Sequence, residues 1–196
     1  MFTGIITATQ TITAIQKNGS NSIFRIHKPR EWNLEIGESI SIDGVCSTVI
    51  AEDVDTFAVE YMPETLRITT LGDKQAGQFV NTERSMQLGD LVSGYLVSGH
   101  VEGQGVIQSI APDGDSYRIQ IAYPATAKQY FIHKGGVTVD GIALTVVEPT
   151  DEHFTVAIIP HTWENTTIQY WKVGDAVNLE FDMIAKYVER IIALRD

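Results

Sequence analysis

Ser41-Ile42-Asp43-Gly44-Val45-Cys46-Ser47-Thr48-Val49 is answered 97 residues later by Thr138-Val139-Asp140-Gly141-Ile142-Ala143-Leu144-Thr145-Val146. Asp, Gly, Thr and Val coincide. The same offset of 97 sets Pro63-Glu64-Thr65-Leu66-Arg67-Ile68-Thr69-Thr70 beside Pro160-His161-Thr162-Trp163-Glu164-Asn165-Thr166-Thr167. It also sets Gly77, Val80, Asn81 and Glu83 beside Gly174, Val177, Asn178 and Glu180. Near the start the offset slips to 95, where Gly4-Ile5-Ile6 meets Gly99-His100-Val101. Blocks that recur in one order are the mark of a duplicated domain, here with its seam near residues 90–97. A repeated Gly, Thr or Val can still be a turn or strand residue of a recurring β-motif rather than a ligand contact.

Within each half the hydrophobic period is two. Ser39-Ile40-Ser41-Ile42, Phe57-Ala58-Val59-Glu60-Tyr61 and Tyr117-Arg118-Ile119-Gln120-Ile121 all alternate, as half-buried strands do. Turn signals separate them: Asn18-Gly19-Ser20, Ile36-Gly37-Glu38, Asp113-Gly114-Asp115 and Val173-Gly174-Asp175. About six short strands in each half predict an all-β chain of two small closed antiparallel barrels, with a sandwich as the competing architecture. One segment departs from this rule. From Met183 to Leu194 there is no Gly or Pro, and Ile184, Tyr187, Ile191 and Leu194 follow at helical spacing behind Asp182, a good N-cap. This amphipathic helix has no counterpart in the first half, and its apolar stripe suits either its own barrel or another copy. The expected division is residues 1–97, 98–182 and the terminal helix 183–196.

Composition narrows the function classes. With 14 Lys+Arg against 25 Asp+Glu the net charge is −11, which argues against sequence-independent binding to nucleic acid or to an anionic membrane. The 43 % hydrophobic and 20 % charged content is that of a globular protein. Cys46 is the single cysteine, so no intrachain disulfide and no Cys-based zinc cluster can form. The start lacks a basic stretch followed by an apolar run, and no segment approaches ~20 apolar residues. A soluble, reducing, cytoplasmic setting is the expectation. There is no P-loop, dinucleotide fingerprint or H-E-x-x-H, and no two of His27, His100, His133, His153 and His161 stand at metal-ligand spacing. Gly94-Tyr95-Leu96-Val97-Ser98-Gly99-His100 is not a nucleophile elbow. What remains is a set of hydroxyl-bearing positions in both halves, with Cys46 and His100 in one copy each; a strand cysteine is more often a small core residue than a nucleophile.

These residues carry a resemblance. Met1-Phe2-Thr3-Gly4-Ile5-Ile6, Asp43 to Val49, Met62-Pro63-Glu64-Thr65-Leu66-Arg67, Leu96 to Gly103, Lys134-Gly135, Pro160 to Thr167 and the ending from Asp182 to Ile192 resemble the α-chain type of riboflavin synthase, in order and along essentially the whole chain. The resemblance implies two six-stranded Greek-key barrels, each holding one 6,7-dimethyl-8-ribityllumazine. It implies a homotrimer assembled by the C-terminal helix, with the productive pair formed between the first barrel of one subunit and the second barrel of a neighbour. Lumazine synthase is a further candidate partner. The reaction implied is a dismutation in which one lumazine gives a four-carbon unit to another, yielding riboflavin and 5-amino-6-(D-ribitylamino)uracil. No metal, flavin or nicotinamide is consumed, so no cofactor is implied.

Carried over by position, the first pocket would use Gly4, Ile5, Ile6, Ser39, Cys46, Ser47, Thr48, the stretch Glu60, Tyr61, Met62, Pro63, Glu64, Thr65, and Gly99, His100 and Val101 at the seam. The second would use Lys134, Ala143, Leu144, Thr145, Ile159, Pro160, His161, Thr162, Trp163, Glu164 and Asp182. Candidates for the chemistry are His100 as proton shuttle, Cys46 with Ser39 near the reacting centre, and Thr145 with Asp182 across the interface. Departures from the family pattern are Ala143 for the usual Ser, Ser47 for Leu, Tyr95 where His often occurs, and Ser93 for a Gly. A competing reading is a non-catalytic, antenna-type lumazine- or flavin-binding protein of the same fold. The intact Pro160-His161-Thr162 string, the terminal helix, Cys46 and His100 favour the enzyme. A barrel module without a small ligand would leave the doubled hydroxyl-rich pockets unexplained.

Overall fold

The structure, a computed structural model, describes residues 1–194, so the last two residues of the expected 183–196 segment lie outside the described residues. The first half contains β1 (Ala8–Asn18), β2 (Asn21–His27), β3 (Ser39–Ile42), β4 (Val45–Glu52), β5 (Thr56–Tyr61), α1 (Pro63–Ile68) and β6 (Phe79–Arg84). The second repeats the order as β7 (Gly103–Asp113), β8 (Ser116–Ala122), β9 (Gly136–Val139), β10 (Ile142–Pro149), β11 (His153–Ile158), α2 (Pro160–Asn165) and β12 (Ala176–Phe181). Only the second half continues, into α3 (Met183–Ile192). Around the first barrel the strands run β1-β2-β5-β4-β3-β6, and around the second β7-β8-β11-β10-β9-β12; both close. The barrel expectation therefore holds and the sandwich does not.

Alternation fills each interior. In β4, Val45, Ser47 and Val49 are buried while Cys46, Thr48 and Ile50 face outward. Ile12, Phe24, Ile26, Phe57 and Val59 build the first core; Ile107, Ile119, Ile121, Phe154 and Val156 build the second. Burying each such side chain contributes roughly 1.5–3 kcal/mol. The register shifts between Ile12 and Ala14 and between Val49 and Ala51, and at the corresponding places Ile107/Ser109 and Val146/Glu148. Such bulges sharpen strand bending, which lets one strand serve both sides of a closed barrel.

The repeated Pro and Thr residues acquire a local reason. Pro63 and Pro160 open α1 and α2, where a missing N–H costs nothing. Thr69 and Thr166 then accept from the amides of Leu71 and Ile168, starting the 3-10 turns Thr70–Asp73 and Thr167–Tyr170. Asp182 caps α3 as its type predicts, its Oδ1 accepting from the Ile184 amide at 2.7 Å.

The halves meet reciprocally. The Asp43-Gly44 and Asp140-Gly141 turns lie back to back. Asn81 Nδ2 donates to the Asp140 carbonyl and Asn178 Nδ2 to the Asp43 carbonyl. The side-chain carbonyls of the same asparagines accept from the amides of Thr167 and Thr70 across the interface, at 2.8 and 2.7 Å. All of these groups are buried, so each bond left unmade would cost about 1–3 kcal/mol.

Candidate active site

Two straps cross where the barrels meet. Phe2 and Val97 exchange backbone bonds of 2.8 and 3.0 Å. Glu83, near the end of β6, accepts from the Thr3 amide and hydroxyl and from the Gly4 amide at 2.7, 2.6 and 3.0 Å. Burial raises the Glu83 carboxyl, and the Thr3 and Gly4 donors pull it back. Glu180 on β12 holds the other strap, accepting from the Ser98 amide and hydroxyl and from the amides of Gly99 and His100 at 2.7–3.1 Å.

Each strap, pinned to its own half, reaches the other barrel. The Gly99 carbonyl accepts from the Cys46 amide at 2.8 Å, and the Gly4 carbonyl from the Ala143 amide at 2.8 Å. Val101 is buried in the first core and Ile6 packs on the second. This corrects the expectation for Gly4 and Ile6, which it set in the first pocket and which lie against the second barrel; Ile5, between them, is exposed. A buried carboxylate near the end of β6 or β12 anchors each strap where it leaves its own half for the other.

Outward-facing residues of the first barrel gather on one face of β3 and β4. Ser39 lies opposite Thr48 and Ser41 opposite Cys46 across the β3–β4 register, so these four side chains share one face. Cys46 is partly exposed, and Met62 and Pro63 stand out at the start of α1. Ser47 and Tyr61 are turned the other way: the Ser47 hydroxyl donates to the Val45 carbonyl and meets the Tyr61 hydroxyl at 2.7 Å inside the barrel. Strand parity forces this, so only their backbone can reach a ligand, and the same holds for buried Leu144. The Glu60 carboxylate accepts from Asn18 and Asn21 at the β1–β2 hairpin. Glu64 pairs with Arg67 on the exposed side of α1, and Thr65 is half-buried there.

On the second barrel the same register sets Gly136 opposite Thr145 and Thr138 opposite Ala143. Ile159, Pro160, His161 and Glu164 are exposed along α2, Thr162 is half-buried, and Trp163 stacks on Tyr117 at 3.7 Å. Lys134 is exposed, with φ +64°, and its amide donates to the Val146 carbonyl. Asp182 borders a groove of about 630 Å³ with Gly135 and Gly136. Asp182 and Thr145 are thus both neighbours of Gly136. The phenol of Tyr95, which sequence reasoning noted only as a departure, closes over the same glycine. Glu83 and Glu180 were visible as a repeated pair without an assigned task.

A model of the lumazine binding domain matches residues 3–85 and again 98–182. The chain is 39 % identical over 193 residues to riboflavin synthase of Actinobacillus pleuropneumoniae, covering 98 % of this chain and 90 % of that one. It is 38 % identical over 197 residues to riboflavin synthase of Brucella abortus, covering 97 % and 98 %. The Bacillus subtilis riboflavin synthase is 35 % identical over 193 residues, with 98 % and 90 % covered. Among solved structures, LumP complexed with riboflavin superposes with a TM-score of 0.85 at 21 % identity, over 93 % of this chain and all of that one. LumP complexed with 6,7-dimethyl-8-(1'-D-ribityl) lumazine gives 0.82 at 20 %, over 93 % and 99 %. At that identity the likeness is one of fold.

Proposed function

Because this chain belongs to the riboflavin synthase family, with the lumazine binding domain matched in each half, we propose that each barrel face holds one 6,7-dimethyl-8-ribityllumazine and that a four-carbon unit passes between two of them. The observation that carries this is the reciprocal strap: each half lays a carbonyl on the other's outward strand face, bonded to the Cys46 or the Ala143 amide. Two cradles built this way suit two copies of one substrate. The atoms of two lumazines balance against riboflavin and 5-amino-6-(D-ribitylamino)uracil with no outside oxidant or reductant.

Protons on the substrate's 7-methyl group are already acidic, because the electron-poor ring system spreads the resulting negative charge. The chain supplies alignment, a proton path and a group that adds at the acceptor ring. Holding two reactants together can contribute ~7–11 kcal/mol. In the first pocket His100 moves the proton, and Cys46 and Ser39 stand beside the reacting centre. In the second, Thr145 and Asp182 flank the partner. Strap and strand-edge backbone groups, with the hydroxyls of Thr48 and Thr162, meet the pyrimidinedione edge and ribityl chain, which are rich in donors and acceptors.

The site pairs a first barrel with a neighbour's second barrel in a cytoplasmic homotrimer, and lumazine synthase is a partner that would hand over the substrate. Support comes from α3, where Ile184, Tyr187, Val188, Ile191 and Ile192 are all at least half exposed, more apolar surface than a solitary helix leaves wet. Ile184→Asp with Ile191→Asp should convert a three-copy species into single copies in sedimentation and lower turnover by on the order of a hundredfold. An unchanged trimer would refute this assembly. The activity itself is tested by following absorbance as the purified chain meets 6,7-dimethyl-8-ribityllumazine without added cofactor. Riboflavin should form; binding without conversion would instead favour the antenna reading.

A further inference from the structure

Tyr95 stands in the strap five residues before His100. Its amide donates to the Thr3 carbonyl at 3.2 Å, and its hydroxyl lies 3.0 Å from Thr138 Oγ1. Its ring covers Gly136 so closely that a Cβ built on that glycine would sit 3.1 Å from Cε1 and 3.2 Å from Cζ. Gly136 is the counterpart of Ser39, and it faces Thr145 as Ser39 faces Thr48. The phenol therefore fills, from the strap, the place that a strand side chain fills in the first barrel. Asp182 borders Gly136 as well. Thr138 in turn lies opposite Glu180, whose carboxylate holds Ser98, Gly99 and His100.

We propose that Tyr95 is a positioning residue of the second pocket, its ring walling the site beside Thr145 and its hydroxyl supplying the polar group that Ser39 supplies to the first. The proposal rests on the riboflavin synthase reading and adds to it a reason for the inequality of the two pockets. Burial holds the phenol well above its ordinary range, with Glu180 and Asp182 adding to the effect. Tyr95 thus stays protonated and acts as a neutral hydrogen-bonding wall, not as a base.

The test compares Tyr95→Phe, Tyr95→Ala and Tyr95→Ala/Gly136→Ser in the full chain, with folding checked by melting and assembly by sedimentation. Riboflavin titration by fluorescence reads the two sites of each chain. Tyr95→Ala should weaken one site about tenfold or more and leave the other alone, with KM for the lumazine rising more than kcat falls. Tyr95→Phe should weaken that site by roughly two- to tenfold. The double variant, which restores the first barrel's serine, should recover part of the loss. Unchanged affinity and KM in folded Tyr95→Ala, or equal losses at both sites, would overturn the proposal. If Tyr95→Ala does not fold, Tyr95→Phe decides alone: an unchanged riboflavin affinity overturns it. Absence of turnover in the unsubstituted chain would defeat the reading of the reaction, while the titration would still judge Tyr95.

Discussion

The two barrels share a strand order, bulge positions and strap anchors, yet their outward faces differ. The first offers Ser39, Ser41, Cys46 and Thr48 from its own strands; the second offers Gly136, Thr138, Ala143 and Thr145 and takes Tyr95 from the strap. Where the halves agree, geometry dictates the residue: Asn81 and Asn178 satisfy buried backbone across the interface, and Glu83 and Glu180 each gather backbone and hydroxyl donors. Some disagreements lie in the cores, Ser47 against Leu144 and Tyr61 against Ile158, and others on the outward faces, Ser39 against Gly136 and Cys46 against Ala143. Duplication set the frame, and the outward pairs that drifted apart, Ser39/Gly136 and Cys46/Ala143, make the two faces unequal.

The largest effect should come from treating a shared position. Gly44 and Gly141 have φ +83° and +80°, and a Cβ on either would stand 2.8 or 2.7 Å from the other's backbone nitrogen. Alanine at either site meets both the left-handed penalty, about 1–2 kcal/mol, and a backbone collision. We expect Gly44→Ala and Gly141→Ala each to lose about 3 kcal/mol or more in denaturant unfolding, and by similar amounts. A tolerated alanine in one half alone would show that the interface is less symmetric than its hydrogen bonds.

A drifted pair tests the comparison more finely. Asp43 and Asp140 occupy equivalent turns, but Lys74 pairs with Asp43 at 2.8 Å where its counterpart is Trp171. Lys74 is held above an ordinary lysine by Asp43 and Asp140, although burial opposes its charge. Burial, and then the Asp43 charge, raise the Asp140 carboxyl to about 8, against roughly 4 in an unfolded chain. The folded state then holds a proton that the unfolded state has released. Stability from this group is complete below the unfolded value and is lost as pH rises through the folded one. Unfolding free energy should therefore fall between pH 5 and 8, by at most about 1.4 kcal/mol per pH unit, and level off above. Asp140→Asn should flatten that slope. A slope surviving in Asp140→Asn would assign it to other groups.

How much of this was legible follows from what the residues can report. The 97-residue echo and the two-residue alternation carry both barrels, because every strand has a buried parity. The six-residue helices α1 and α2 show in the sequence only as motif strings; they are too short for a helical period to appear. Parity could have shown that Ser47 and Tyr61 point inward, since Val45 and Val49 flank Ser47 on the core side. The strap crossing could not be read in this way. Gly4 and Gly99 reach the opposite barrel through tertiary bonds, and the straps are anchored by Glu83 and Glu180 from residues about 80 apart.

The smallest effect concerns the most local difference, Cys46 against Ala143. Both amides carry a strap carbonyl, so the backbone of the two sites is the same and only the side-chain tip differs. Ala143 is partly exposed, but its Cβ lies close to Gly4, and the ideal Cβ of Gly94 would come within 3.2 Å of it. A serine there must turn its hydroxyl away from both glycines, toward Thr145 and the ligand face. One added hydrogen bond is worth about 0.5–1.5 kcal/mol, or roughly two- to tenfold in affinity. Ala143→Ser should therefore tighten riboflavin at one site of each chain by that factor and leave the other site alone, as fluorescence titration would read. Cys46→Ala, which makes the first face resemble the second, should lower turnover more than it weakens binding. If Ala143→Ser binds no tighter, the ligand does not come within reach of position 143, and the inequality of the pockets rests on Tyr95 and the serine at 39 alone.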